Sequence, residues 1–393
     1  MNKKFLIGVI SVLLILSVSL YIFINDSSTQ KIVISNDDSN KRIVNNNALT
    51  MMYETEAGSG EYQVSSDTMW PQDGYIFNET LSKCENGGTL SWDSETNRVV
   101  MQTNSSDKCY IYFDATNPAA TIITDLFNEG SDELSNLDPD GNIRYNGTNP
   151  NNYVLFNNEL WRIIGVFNNK LKIVRDEHIP IVFEDNGVTI GDTIVAGMYG
   201  TNNFFYWNYN GTNNWETATL KIYLNGTYYN SIEQSSRNLI SEETWYLGGF
   251  EGNEHMLSVT AIESYETERS TNVYPGNPTT TKAYIGLIYP SDLFYSKLST
   301  LTPENNSHLG SYNWLGINDF HWLISSSSVD NQYVLSYVST GAGAIITKEY
   351  YANEKNSDYN KYGTPQVHPT LYLKSTVAII SGNGSEENPY ILA

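Results

Sequence analysis

Two cysteines, five histidines and 44 carboxylates are the groups in this chain with which chemistry could be done. Cys84 and Cys109 stand in one short region and are its only thiols. Outside the cytosol such a close pair reads as a disulfide, and a Cys84–Cys109 bond is expected, with two free buried thiols as the alternative. The histidines (His178, His255, His308, His321 and His368) form no i, i+4 pair and have no cysteine beside them. No metal-ligand set is legible, and no metal or cofactor is expected. His321 next to Trp322 and His368 before Pro369 read as structural. The chain has no Gly-x-Ser-x-Gly elbow and no phosphate-cradling glycine loop; Gly341-Ala342-Gly343-Ala344 reads as a hairpin turn. Asp138-Pro139-Asp140-Gly141-Asn142 spaces its oxygens as a calcium loop does, but the twelfth position is Asn149 where such a loop needs Glu. Its composition is that of a turn. Glycoside hydrolysis needs only two carboxylates across a cleft, and the acids are too many to single out a pair.

Aromatic residues are the remaining signal. Phe204, Phe205, Tyr206, Trp207 and Tyr209 fall within TNNFFYWNYNGTNNW, an Asn- and Gly-rich stretch with no regular period. A loop so built must bury its rings or present them. If it presents them, Phe205, Tyr206, Trp207 and Tyr209 are the candidate ligand-binding residues, stacking on a sugar while neighbouring amides bond its hydroxyls. If it folds back, the same rings fill the core. Trp161, Trp245, Trp314 and Trp322 sit in apolar runs and are expected in the core.

The elements that would position these groups follow from the pattern. Lys3 and Lys4 precede an uncharged apolar run, Phe5 to Ile24, long enough to span roughly 30 Å as a helix. The basic flank places the N-terminus in the cytoplasm and the rest outside. Ser17-Val18-Ser19 is the one candidate cleavage site, and large apolar residues continue past it, so residues 1–24 are expected to be a signal anchor, with secretion as the alternative. Residues 25–50 read as a flexible stalk. Residues 51–115 read as a small sandwich-like β domain, with short strands between turns such as Asn86-Gly87-Gly88. Residues 116–150 read as a connector holding a short helix over Ala119–Phe127. Residues 151–393 read as a large, β-dominated α+β domain. It opens with a meander turning at Asn157-Asn158. A helix is expected over Trp215–Leu224 with Asn225-Gly226 as its stop, and another is expected to start at Pro290-Ser291-Asp292. Net charge is −22, which argues against nucleic acid as partner. Tyr is abundant at 29, and Asn outnumbers Lys and Arg together, so the surface must be polar largely without charge.

Several stretches of the large domain occur in a recognisable order. They are Trp161-Arg162-Ile163-Ile164-Gly165-Val166; Trp215 with Leu220 and Leu224-Asn225-Gly226 followed by Tyr228-Tyr229; Tyr284 to Ile288 before Pro290-Ser291-Asp292; Trp322-Leu323-Ile324-Ser325; and Val367-His368-Pro369-Thr370-Leu371. This order resembles a family of uncharacterised surface-exposed domains from gut Firmicutes and related low-GC bacteria. It is more weakly similar to C-type-lectin-like domains of the formylglycine-generating-enzyme kind. The active-site cysteine pair of that enzyme and the Glu-Pro-Asn and Trp-Asn-Asp sugar-binding segments of true C-type lectins are absent. The resemblance therefore implies a scaffold without either activity. The function expected is that of a membrane-anchored, outward-facing module that binds an extracellular glycan or protein. A cell-wall or glycan hydrolase and a non-catalytic envelope spacer are the alternatives.

Overall fold

The computed structural model describes residues 30–34, 48–67, 70–72, 74–93, 96, 98–103, 107–180, 189–190, 193–194, 196–199, 202–251, 260–297, 313–316, 320–340, 344–353 and 366–393. Strands dominate, and the chain divides into two compact units, Met1–Thr116 and Asn117–Ala393.

In the first unit, alternating β-branched and aromatic residues form strands β1 (Gln30–Ile34), β2 (Ala48–Glu54), β3 (Tyr62–Val64), β4 (Tyr75–Cys84), β5 (Thr89–Asp93), β6 (Arg98–Thr103) and β7 (Lys108–Ala115). One sheet runs β3-β2-β7-β4 and another β1-β6-β5. β7 shows the period of two that a half-buried strand needs, with Cys109, Ile111 and Phe113 inward. These side chains pack with Met51 of β2, Val99 and Met101 of β6, and Trp70, whose ring lies between those of Tyr53 and Phe113. β1 falls inside the stretch read as a stalk; its Lys-Ile-Val-Ile run pairs along β6.

Cys84 and Cys109 face each other across β4 and β7 and form a disulfide. Asp107 accepts the backbone N–H groups of Asn86 and Gly88 at 2.8 and 2.9 Å, which pins the turn beside the bridge. Among the described residues, Cys84, Asp107 and Cys109 are the one close grouping of potential metal ligands. Their sulfurs are committed to each other, and without thiolates no ligand set remains.

The second unit is built on the meander that opens the large domain. β8 (Leu134–Ser135) and β9 (Ile143–Tyr145) are followed by β10 (Tyr153–Phe156), β11 (Glu159–Phe167) and β12 (Lys170–Arg175). The turns Asn157-Asn158 and Asn168-Asn169 all have positive φ, a backbone region that Asn tolerates better than most residues. The sheet continues from β12 through Thr370–Leu373 to Ile240–Ser241, and on its other side from β10 through Tyr390–Leu392 to Ile379–Ser381. β11 is buried on both faces, which explains its near-continuous apolar run. Helix α1 (Ala119–Asn128) buries Ala119, Ala120 and Ile123 in the core of this unit, so the stretch read as a connector belongs to it. Gly165 is required where it stands. A Cβ there would lie 2.2 Å from the Ile143 carbonyl oxygen, and β9 pairs with β11 at that point.

The fold class read from the sequence needs correction. It included a transmembrane helix, but no helix among the described residues is long and apolar enough to cross a membrane. The longest, α1, has 10 residues and spans roughly 15 Å, half the thickness required. Residues 5–24, to which the span was assigned, lie outside the described residues. A second correction concerns Asn225-Gly226, read as a helix stop. The chain instead passes from Thr219–Tyr223 through a π turn, Leu224–Tyr228, and the Asn225 side chain bonds Lys221 and Ile285 carbonyls while accepting from Tyr284 and Ile285 N–H.

Reducing the disulfide, which closes a sequence separation of 25, should lower the stability of the first unit by about 3–4 kcal/mol by the chain-entropy account. Calorimetry of the full chain with and without reductant checks this: one transition moves down and the other stays. Gly165→Ala should destabilise the second unit by about 1–3 kcal/mol through overpacking against β9, read from the shift of the other transition.

Candidate functional site

The aromatic loop splits between core and surface. Among the rings of this loop whose side chains are described, Trp207 is 0 % exposed, Phe205 and Tyr206 are also buried, and Tyr209, at 36 %, reaches solvent. The reading in which the loop presents Phe205, Tyr206 and Trp207 is therefore corrected. The cause is a reciprocal exchange of hydrogen bonds. The Trp207 indole N–H donates to the Leu323 carbonyl at 2.9 Å, and the Trp322 indole N–H donates to the Phe205 carbonyl at 2.8 Å. Each indole finds the acceptor that burial demands, and the segment is fastened to the strand Phe320–Ser326. The Trp207 ring lies 5.0 Å from that of Trp215. Phe205 ends a strand, Asn202–Phe205, that pairs with Ala196–Tyr199. Trp161, Trp245, Trp314 and Trp322 are all in the core as read.

Beyond Trp207 the chain emerges, and three segments meet. Asn208 N–H donates to the Ala352 carbonyl, Ala352 N–H donates to the Gln332 carbonyl, and Asn213 N–H donates to the Asn331 carbonyl. The buried Asn213 amide adds bonds to the carbonyls of Ser327, Asp330 and Tyr333. Gly211 has φ +83° and packs so close to the Asn353 amide that a Cβ would lie 2.8 Å from it. Two tyrosine pairs stand on these segments. Tyr206 and Tyr209 meet edge to face at 5.2 Å, and Tyr333 stacks on Tyr351 at 4.6 Å with their hydroxyls 2.9 Å apart. Tyr351 is 41 % exposed, and Asn210, Asn331 and Gln332 are exposed beside these rings. Asp330 is the only charged side chain in residues 206–213, 330–333 and 351–353. The result is a surface of ring faces, hydroxyls and amides with Asp330 as its one charge among these segments.

A second constellation lies inside the unit. Asp292, the third residue of the helix Pro290–Tyr295, accepts from Lys172 Nζ at 2.5 Å, from Arg144 Nη1 at 2.8 Å and from Tyr289 N–H at 2.9 Å. Arg144 also donates through Nε to Asp138 at 2.7 Å. Asp138 belongs to the turn whose oxygens mimic a calcium loop. Here it bonds Arg144 and Asn142, while Asp140 accepts the Tyr265 hydroxyl. Glu268 accepts the Ser291 N–H and hydroxyl at 2.8 and 2.6 Å, and Arg269 stands 3.4 Å away. Rings of Phe167 and Tyr295 lie under the Arg144 guanidinium, and the Tyr289 ring lies 4.5 Å from Lys172 Nζ.

Burial disfavours charge at Asp292, Arg144, Lys172 and Glu268, and their neighbours decide the outcome. For Asp292 the opposing burial is outweighed by Lys172, Arg144 and the Tyr289 N–H, so its carboxyl is held below the usual value. For Arg144 the two carboxylates outweigh burial and its value rises. Burial prevails at Lys172, which falls to about 8 despite Asp292, with the nearby charges of Arg144 and Arg269 adding to the fall. Burial also prevails at Glu268, which rises to about 7 against Arg269 and the Ser291 donors. Lys172, Arg144, Asp138, Glu268 and Asp292 are all nine-tenths or more buried, so the cluster is closed to a ligand.

Sequence reading missed this cluster because its members lie far apart in the chain. The available signals were Lys172 inside the apolar strand KLKIVR and the acid that follows Pro290. Nor did spacing reveal that His178, His321 and His368 converge, with rings 6.3 and 5.1 Å from the central His368. The His368 ring meets the Arg175 carbonyl at 3.1 Å, a structural contact. Cys84 and Cys109 lie in the first unit as a disulfide. No family model, curated protein or solved structure matches this chain.

Trp207→Ala should destabilise the second unit by about 3–5 kcal/mol, whereas Tyr209→Ala should stay within about 1 kcal/mol; denaturant unfolding of both variants checks this. Between pH 4.5 and about 7, folded Glu268 keeps a proton that the unfolded chain has lost. Stability should therefore decline as pH rises through that window, by at most about 1.4 kcal/mol per unit for this one proton. Glu268→Gln should flatten that slope in unfolding curves recorded from pH 5 to 8.

Proposed function

We propose that this protein is an exported binding module and that its second unit holds a neutral glycan on the tyrosine and asparagine surface. One observation carries the reading: Tyr209 and Tyr351 project from two ring pairs on segments whose only charged side chain is Asp330. A sugar offers an apolar ring face and a rim of hydroxyls. Tyrosine matches the first with its ring and the second with its hydroxyl, and Asn and Gln supply donors and acceptors without the desolvation of a full charge. The net charge of −22 opposes polyanionic partners.

Export is supported by the disulfide, since such bonds persist in oxidising compartments. Hydrolysis draws no support from the charge cluster. Asp138, Glu268 and Asp292 are buried and fully engaged by protein donors, so they cannot flank a scissile bond.

The test is a glycan array probed with the full chain, followed by titration of the best ligand against Tyr209→Ala and Tyr351→Ala. Each variant is expected to weaken binding about tenfold or more, with little change in melting temperature. Retention of no glycan, or binding indifferent to both substitutions, would overturn the proposal.

A further inference from the structure

Lys172 and Asp292 are placed for a reaction with each other. Their side chains are both 1 % exposed, and Nζ lies 2.5 Å from Oδ2. Asp292 is the hydrogen-bond acceptor of Lys172 among the described residues. Around the ammonium stand the rings of Tyr289, Phe167, Tyr372 and Trp245, with centroids 4.5 to 5.7 Å away. Water is thus kept from the pair. The residues are 120 apart in sequence, one on β12 and one in the first turn of the helix Pro290–Tyr295.

We propose that Lys172 Nζ and Asp292 Cγ condense in the folded protein to an amide, an intramolecular isopeptide bond, with loss of one water. The balance closes without a co-reactant. The ammonium passes one proton to Oδ2 along the existing hydrogen bond, leaving an amine beside a carboxylic acid. The nitrogen lone pair attacks Cγ, and the charge that develops on Oδ1 is met by Arg144 Nη1, already 2.8 Å away. A second proton moves from nitrogen to Oδ2, the Cγ–Oδ2 bond breaks, and Oδ2 leaves as water. One hydrogen remains on the amide nitrogen.

Three features favour this outcome over a permanent ion pair. Fixing both reactants in contact replaces an encounter with a unimolecular step, where effective concentrations reach about 10⁵–10⁸ M. Burial draws Lys172 down to about 8, so the neutral amine is within reach at neutral pH. The amide also removes two charges from an interior that penalises them. Glu268 acts as a positioning residue: it holds the Ser291 N–H and hydroxyl and so sets the helix start that carries Asp292. Arg144 and the Tyr289 N–H also stabilise the starting carboxylate, so condensation is expected to be slow, and a time course belongs in the test.

The experiment is mass spectrometry of the full chain, reduced so that the disulfide contributes nothing, and then of its proteolytic peptides. The expected result is a branched peptide joining the Lys172 and Asp292 segments, lighter by one water than the sum of its parts. Lys172 should then resist an amine-reactive label in the denatured chain. Lys172→Arg keeps the charge but should give full-mass peptides only. Separate Lys172 and Asp292 peptides at full mass after prolonged incubation of the folded wild type, with Lys172 labelled once denatured, would overturn the proposal. The wild-type readout decides the matter even if the variant folds poorly.

Discussion

The carboxylate of Asp292 is the point on which the second unit turns. It receives a guanidinium from β9, an ammonium from β12 and a backbone N–H from the start of its own helix. Buried charge is tolerated only where it is paired and hydrogen-bonded, and removing one partner of such a set typically costs about 3–5 kcal/mol. The pieces that supply these groups must therefore reach the same place. Gly165 gives way so that β9 can approach β11 and deliver Arg144. The Asp138 turn closes over the far side of the guanidinium, and Glu268 holds the helix start through Ser291.

Around this centre, polar side chains do what regular ladders do elsewhere. Much of the unit is irregular, and every buried backbone N–H or carbonyl in it still needs a partner. Asparagine supplies many of them. Asn213 spans three carbonyls, Asn225 closes a π turn onto Tyr284 and Ile285, and Asn152 ties the Ile163 carbonyl to Arg162. The excess of Asn thus has an interior role as well as a surface one. Indoles follow the same rule, and the exchange between Trp207 and Trp322 draws an aromatic loop inward that composition alone would place on either side.

Local pattern was enough for the features that depend on neighbours in sequence. Strands β4 to β7 of the first unit, the pairing of Cys84 with Cys109, the meander with its Asn-Asn turns and the helix start at Pro290 all rest on period, turn chemistry or proximity, whereas β1 lay in a stretch that read as a stalk. The fate of Phe205, Tyr206 and Trp207 was not local. It depended on the Leu323 carbonyl and the Trp322 indole N–H, each more than a hundred residues away, which no window around the loop contains. The same reason hid the charge cluster. Arg144, Lys172, Glu268 and Asp292 look like ordinary solvated charges one at a time, and only the sheet and the helix placed against it bring them to one buried point. Composition determined that the surface would be rich in tyrosine and amide rather than charge. Tertiary structure decided which tyrosines face outward, because burial belongs to the packed chain and not to any residue within it.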